Sequence, residues 1–177
     1  MTAAGVLRTV GGLALGLPRA AWLLVAVGWT AWIWQLSEQE APVETGTFLW
    51  AWIGNTAHAV LYGLLALWLA FALPRRPGPT PHGWADLAPP RVALVLGVIA
   101  GLGALDEWHQ SWVAGRTASL GDVATDLVGA AVVLWVAVGA GRADDEFVGA
   151  PVGVRLGAGL AISLGAGLLA TLVAGVI

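Results

Sequence analysis

The chain has 177 residues, of which 58% are hydrophobic and only 11% charged, with no Cys, no Lys and a formal net charge of −3. Lack of Cys excludes disulfides, thiolate chemistry and Cys-ligated metal, and without a basic stripe carrying interleaved aromatics nucleic-acid binding has no support. A bilayer core of about 30 Å takes roughly 20 apolar residues per helix, and the sequence supplies that length several times over, which places it among integral membrane proteins.

Taken in chain order, Val10 to Leu17 is an apolar run of eight residues ending in Pro18-Arg19, too short to cross and suited to a short N-terminal interfacial helix. Five longer runs follow: Pro18 to Leu36, Phe48 to Leu73, Arg91 to Leu105, Asp122 to Ala140 and Leu156 to Ile177. The expected fold is an all-α integral membrane helical bundle of about five transmembrane helices, a single domain over 1–177. The third run is the weakest, since few apolar residues precede Asp106 and it must run short or borrow length from Trp108. The apolar stretch after Arg19 is long and Gln35 to Glu40 shows no small-residue cleavage pattern, so no signal-peptide cleavage is expected. The segment from Pro74 to Pro90 is rich in Pro and Gly and reads as an irregular linker, with Arg75 and Arg76 suited to anionic headgroups and no role assigned to His82.

Arg8, Arg19, Arg75, Arg76, Arg91, Arg142 and Arg155 fall on one side of this arrangement, and only Arg116 falls on the other, with Glu38, Glu40 and Glu44. Loops that retain positive charge stay cytoplasmic. The expected topology is therefore a multi-pass membrane protein, N-terminus inside and C-terminus outside. Trp22, Trp50, Trp52, Trp84, Trp108 and Trp112 sit near expected interfaces, whereas Trp68 falls inside a span and reads as packing. Gly97 with Gly101, and Gly153, Gly157, Ala161 and Gly165, repeat small residues every four positions. Such faces allow close helix approach in lipid, and the expectation favours packing inside the bundle over a face between copies.

Polar residues gather at three span ends. Asn55, His58 and Tyr62 share one face of the second span, with His58 about 9 Å inside the boundary if the span enters at Trp52. Asp106, Glu107 and Gln110 lie at the end of the third, and after a loop with Gly115-Arg116 and Ser119 the fourth begins with Asp122 and Asp126, one turn apart. Ionisable groups at membrane depth are costly and mark functional sites by default. By the expected topology all three ends meet the outer leaflet.

Carboxylates with His suit either a hard divalent cation or an acid/base pair whose members differ in burial, and Arg suits phosphate or carboxylate through its planar fork. His58, Glu107, Asp122 and Asp126 are the candidate catalytic residues, with Glu107, Asp122 and Asp126 as metal-ligand candidates. Arg116, Gln110, Tyr62, Ser119 and Asn55 are the candidate substrate-binding residues. Blander roles compete with these. Asp122 is positioned as an N-cap, Arg116 as a snorkelling residue or a partner of Glu107, and His109 as a surface residue; Asp106 stands between a supporting acid and a solvated one. An enzyme acting on the polar end of a lipid, a non-catalytic plug that fixes helix register, and a transporter all remain open, the last disfavoured by size and by polar residues gathered away from the midplane.

These residues, read as His58-Ala-Val-Leu-Tyr62, Glu107-Trp-His-Gln110, Gly115-Arg-Thr-Ala-Ser119 and Asp122-Val-Ala-Thr-Asp126, resemble the VanZ-like family of small membrane proteins. The family-like core spans about 48–140, with an extra C-terminal transmembrane helix over 156–177. Two departures stand out: Gly54-Asn55 replaces the acidic-basic pair that usually precedes the His, and Asp126 stands where Asn is frequent. The resemblance implies a place in the cell envelope and, for the name-giving member, low-level resistance to glycopeptides of the teicoplanin type. It implies membrane lipids, a lipid-linked cell-wall precursor or a glycopeptide as partners, and no settled reaction.

Overall fold

The computed structural model describes residues 3–39, 47–74, 85, 87–140 and 152–174. Within them the chain forms six helices: α1 (Ala3–Gly16), α2 (Arg19–Ser37), α3 (Phe48–Ala72), α4 (Pro89–Gln110), α5 (Leu120–Ala140) and α6 (Val152–Val173). There is no strand among the described residues. Five of the helices, α2 to α6, are long and apolar enough to cross a membrane, as the composition requires. Expectations placed on Glu40, Glu44, Arg75, Arg76, His82, Trp84 and Arg142 lie outside the described residues.

Local chemistry sets the ends. Pro18 and Ala88 adopt extended conformations just before α2 and α4. The Pro89-Pro90 pair opens α4 where the missing N–H groups would have no helical partner anyway. The third span does not run short. It continues through Asp106, Glu107 and Gln110 to 22 residues, about 33 Å at the helical rise, because the buried polar side chains find partners inside the bundle and the helix has no need to stop at Leu105. The fourth span begins at Leu120, and its N-cap is Ser119, whose Oγ accepts from the backbone N–H groups of Gly121 at 3.1 Å and Asp122 at 3.3 Å. Asp122 is therefore inside the first turn, not the cap, which frees its carboxylate for other contacts. The N-terminal helix spans 14 residues, longer than Val10 to Leu17, but still only about 21 Å.

At the centre of the bundle, α3 touches α2, α4, α5 and α6. Its closest crossing is with α5, where Gly129 lies directly on the backbone of Ala59 and Gly63 lies on the Gly129 carbonyl. Side chains at either glycine would force the helices apart, so this pair sets the spacing of α3 and α5. A core of Ala26, Ile33, Tyr62, Leu65, Ala66, Val95, Ile99, Ala130 and Leu134 fills the middle. Trp68 packs as expected, stacked on Trp22 at 5.4 Å and edge-on to Trp29 at 6.4 Å.

The spaced small residues behave differently from the expectation. Among the described residues nothing lies within 4 Å of a Cβ built at Gly97, Gly101, Gly153, Gly157 or Gly165, so these positions face away from the described bundle. Close internal contacts instead use Gly63, Gly103, Gly129, Gly139, Gly159 and Gly167. Spacing identifies a face without saying which way it is turned.

The end of the bundle that holds the α3 C-terminus is tied by arginines. Arg19 Nε donates to the Ala72 carbonyl at 3.0 Å. Arg155, expected in a loop, lies within α6 and is only 4% exposed; it donates to the Trp135 carbonyl at 2.7 Å and covers the Trp135 ring. There α1 seats Ala14 beside Phe71, Ala137 and Ala140. The opposite end holds the polar residues.

Candidate functional site

At that opposite end α3 descends past the termini of α4 and α5, bringing His58 level with the acids of both. His58 Nδ1 and Asp126 Oδ1 are 3.0 Å apart, with the Asp126 side chain 1% exposed. The carboxylate accepts from the ring N–H. Asp126 fits because its neighbour on α4 is Gly103, where a Cβ would come within 2.6 Å of Oδ2. Tyr62, one turn along α3 from His58, is buried, its ring parallel to the imidazole to within 3° at 6.4 Å.

Glu107 and Asp122 complete the cluster. Glu107 Oε2 accepts from the Ser119 backbone N–H at 2.6 Å, joining the end of α4 to the start of α5. Its Oε1 is buried without a hydrogen-bond partner among the described residues, as is Asp126 Oδ2. Asp122 receives Asn55: with its nitrogen turned to Asp122 Oδ1 at 3.1 Å, the Asn55 amide has its oxygen 2.9 Å from Thr171 Oγ1 on α6. One ligand atom from each of His58, Glu107 and Asp122 lies within 4.8 Å of the others. With Nδ1 committed to Asp126, Nε2 is the imidazole nitrogen left for a ligand.

Most of the expected residues thus converge: His58, Tyr62, Asn55, Glu107, Ser119, Asp122 and Asp126. Three others are used differently. Gln110 donates to Asp106 Oδ2 at 3.0 Å, a buried pair one turn apart on α4. Arg116 does not pair with Glu107. Its Nε donates to the Gln39 carbonyl at 3.0 Å and Nη2 lies 3.4 Å from the Leu36 carbonyl, so the guanidinium sits against carbonyls at the end of α2, where a cation is favoured by the helix dipole. Gly115, with φ of 76°, supplies the left-handed turn that aims it. His109 is half-buried, its side chain 21% exposed, where a surface residue was expected. Its ring stacks on Trp34 at 3.9 Å, with Nδ1 3.3 Å from Ser37 Oγ. Asp106 is only 3% exposed, a supporting acid and not a solvated one.

The three residues whose potential ligand atoms gather are His58, Glu107 and Asp122, where the sequence offered Glu107, Asp122 and Asp126 as candidates. Asp126 stands behind His58, and His58 takes its place among the three. Sequence reasoning missed Thr171, Ser37 and Gly103. The first two are ordinary hydroxyls in apolar helices, and only the fold brings Thr171 to Asn55 across 116 residues.

Apolar grooves open among the described residues, including one of about 480 Å³ between Leu36, Trp52, Leu61 and Leu164 and another of about 350 Å³ between Leu64, Val132, Val136 and Leu160. Neither is lined by His58, Glu107 or Asp122. The first touches Leu36, whose carbonyl faces Arg116.

Chemically, the cluster can bind a cation through imidazole and carboxylate, or move a proton between His58 and an acid. A family model described as VanZ/LLP1 matches residues 14–141, which include every helix that contributes to the cluster except α6. No curated protein and no solved structure matches the chain.

Proposed function

The chain belongs to the VanZ/LLP1 family of multi-pass membrane proteins, and on that premise we propose that it is a cell-envelope enzyme acting on the polar end of a lipid, a lipid-linked phosphate or glycosyl group. One observation carries this reading: Asp126 orients His58 through Nδ1, and an imidazole nitrogen of His58 lies within 4.8 Å of carboxylate oxygens of both Glu107 and Asp122. A His held this way is prepared for acid/base or nucleophilic work, and the apolar helices around it suit a substrate that arrives from the bilayer. Glu107, Asp122 and Asp126 orient the imidazole and balance its charge. Arg116 offers an anionic group the guanidinium N–H donors not held by α2.

The Arg asymmetry supports a cytoplasmic N-terminus and a cluster at the outer leaflet of the bacterial cytoplasmic membrane. Arg116→Cys tests this: labelling by an impermeant reagent from outside is the expected result. For function, lipid extracts from cells with and without the protein are compared, together with teicoplanin susceptibility. The expected outcome is a lipid precursor that accumulates without the protein and with His58→Ala, while that variant inserts normally. Identical lipid profiles would end the enzymatic reading.

A second reading is favoured by Arg116, whose Nε and Nη2 already face the carbonyls of α2. A protein that binds a lipid, a cell-wall precursor or a glycopeptide without converting it would need the same rigid polar end. Binding of such a ligand by purified wild type, with no change in the ligand, selects it.

A further inference from the structure

We propose that His58, Glu107 and Asp122 form the protein shell of a site for one divalent transition-metal cation with mixed nitrogen and oxygen donors, of the Zn2+ or Mn2+ type, with Asp126 orienting His58 from behind. The three donor atoms lie within 4.8 Å of one another. Around an ion with bonds of about 2.1 Å, donors stand roughly 3.4 Å apart in a tetrahedral shell, a distance that small side-chain rotations reach. Imidazole favours Zn2+ and carboxylates favour Mn2+ among such ions. Three protein donors also leave a position open, as catalytic sites do.

Two observations beyond the clustering point to a ligand. Glu107 is 5% exposed and its Oε1 has no partner among the described residues, while the sister oxygen is fixed by the Ser119 N–H. A buried carboxylate oxygen that is both oriented and bare is what a cation would complete. The second is the His58–Asp126 pair at 3.0 Å. Metal-bound imidazoles commonly donate their other N–H to a carboxylate, which selects the tautomer and strengthens the ligand. Asn55 holds Asp122 in the same manner from α3.

Charge argues in the same direction. Glu107, Asp122 and Asp126 gather around the His58 imidazole, and Asp106 lies close enough to act electrostatically on Asp122 and Asp126. Arg116, bonded to the carbonyls of α2, adds one positive charge that acts on Asp122. A buried set of acids needs compensating positive charge, and a divalent ion at the three-donor position supplies it. The site does not depend on the lipid reading, so its test is separate.

The full-length chain, purified in detergent and stripped with chelator, is titrated with Mn2+ and followed by electron paramagnetic resonance, with Zn2+ added as competitor. The expected result is one equivalent of Mn2+, displaced by Zn2+, with magnetic coupling to a single histidine nitrogen. Glu107→Gln and Asp122→Asn lose affinity by at least about tenfold, and Asp126→Asn loses about 10- to 100-fold with the stoichiometry still one. His109→Ala binds as wild type. No stoichiometric binding by wild type, no nitrogen coupling at saturation, or unchanged affinity in Glu107→Gln overturns the proposal. Because the wild-type spectrum alone can overturn it, a variant that fails to fold leaves the test intact. Metal binding without any lipid change supports this site and refutes the enzymatic reading; a His58-dependent lipid change without metal binding does the reverse.

Discussion

Gly129→Ala perturbs the crossing that brings His58 to Asp126. A Cβ at residue 129 would lie 2.5 Å from Ala59 Cα and 2.6 Å from its carbonyl carbon, whereas ordinary contact begins at 3.4 Å. The obstacle is backbone, so no side chain can move aside, and α3 and α5 must separate by about 1 Å to restore contact distances. Ala59 follows His58, and Asp126 lies one turn before Gly129, so a 3.0 Å bond opens to about 4 Å and is lost. Overpacking costs about 1–3 kcal/mol, and the broken buried bond adds about 1–3 kcal/mol. The better helix propensity of Ala offsets about 1 kcal/mol. The net expectation is a loss of roughly 3 kcal/mol, read by detergent-induced unfolding in mixed micelles. Gly97→Ala is the control, because nothing lies within 4 Å of its Cβ; it should lose no stability. Equal stability of the two variants, with the His58 ring signals unchanged by NMR, would refute the account of the α3–α5 crossing.

Other expectations follow from single contacts. Asp126→Asn replaces an acceptor-only carboxylate with an amide that can either accept from Nδ1–H or donate to a bare Nδ1, so nitrogen NMR of the ring should shift from a proton on Nδ1 towards a mixture; an unchanged spectrum would mean the carboxylate does not select the tautomer. Thr171→Val keeps the shape of Thr171 but removes the hydroxyl beside Asn55, at a cost of about 1–3 kcal/mol in the same unfolding assay; no loss would show that α6 is not tied there. Arg116→Ala should free the loop between α4 and α5 from the end of α2, raising amide exchange from Val113 to Thr117, and Arg116→Lys should only partly restore protection because it lacks the planar fork. His109→Ala should cost about 1 kcal/mol through the lost Trp34 stack, with cation binding retained.

The membrane helices were legible because length and apolarity alone decide whether a helix can span. The cluster was legible in part because Asn55, His58 and Tyr62 share a face at a spacing that any helix preserves. Helix rotation was not legible. A helix apolar around its whole circumference gives no sign of which side turns inward, so the Gly97 and Gly101 face was read as inward and is outward, while Gly103, two residues on, faces Asp126. Ser119 and Asp122 are both good caps by type, and only the start at Leu120 decides between them. Arg116 and His109 met partners on α2, about 70 to 80 residues away in the chain, and no local spacing encodes contacts of that range. One of the two blander roles weighed for Arg116 paired it with Glu107, but a backbone N–H twelve residues on reaches that carboxylate instead.

The family match ends at residue 141, and α6 lies beyond it. Yet α6 presses Gly167 against Thr56 and brings Thr171 to the amide that holds Asp122. The clustered residues of α3, α4 and α5 therefore all fall inside the matched region, while the helix that presses on Asn55 and Thr56 falls outside it. Replacing that helix leaves His58, Glu107, Asp122 and Asp126 in sequence and changes the shape beside them. The packing around the Asn55 amide is thus open to change through α6 alone, with residues 14–141 left as they are.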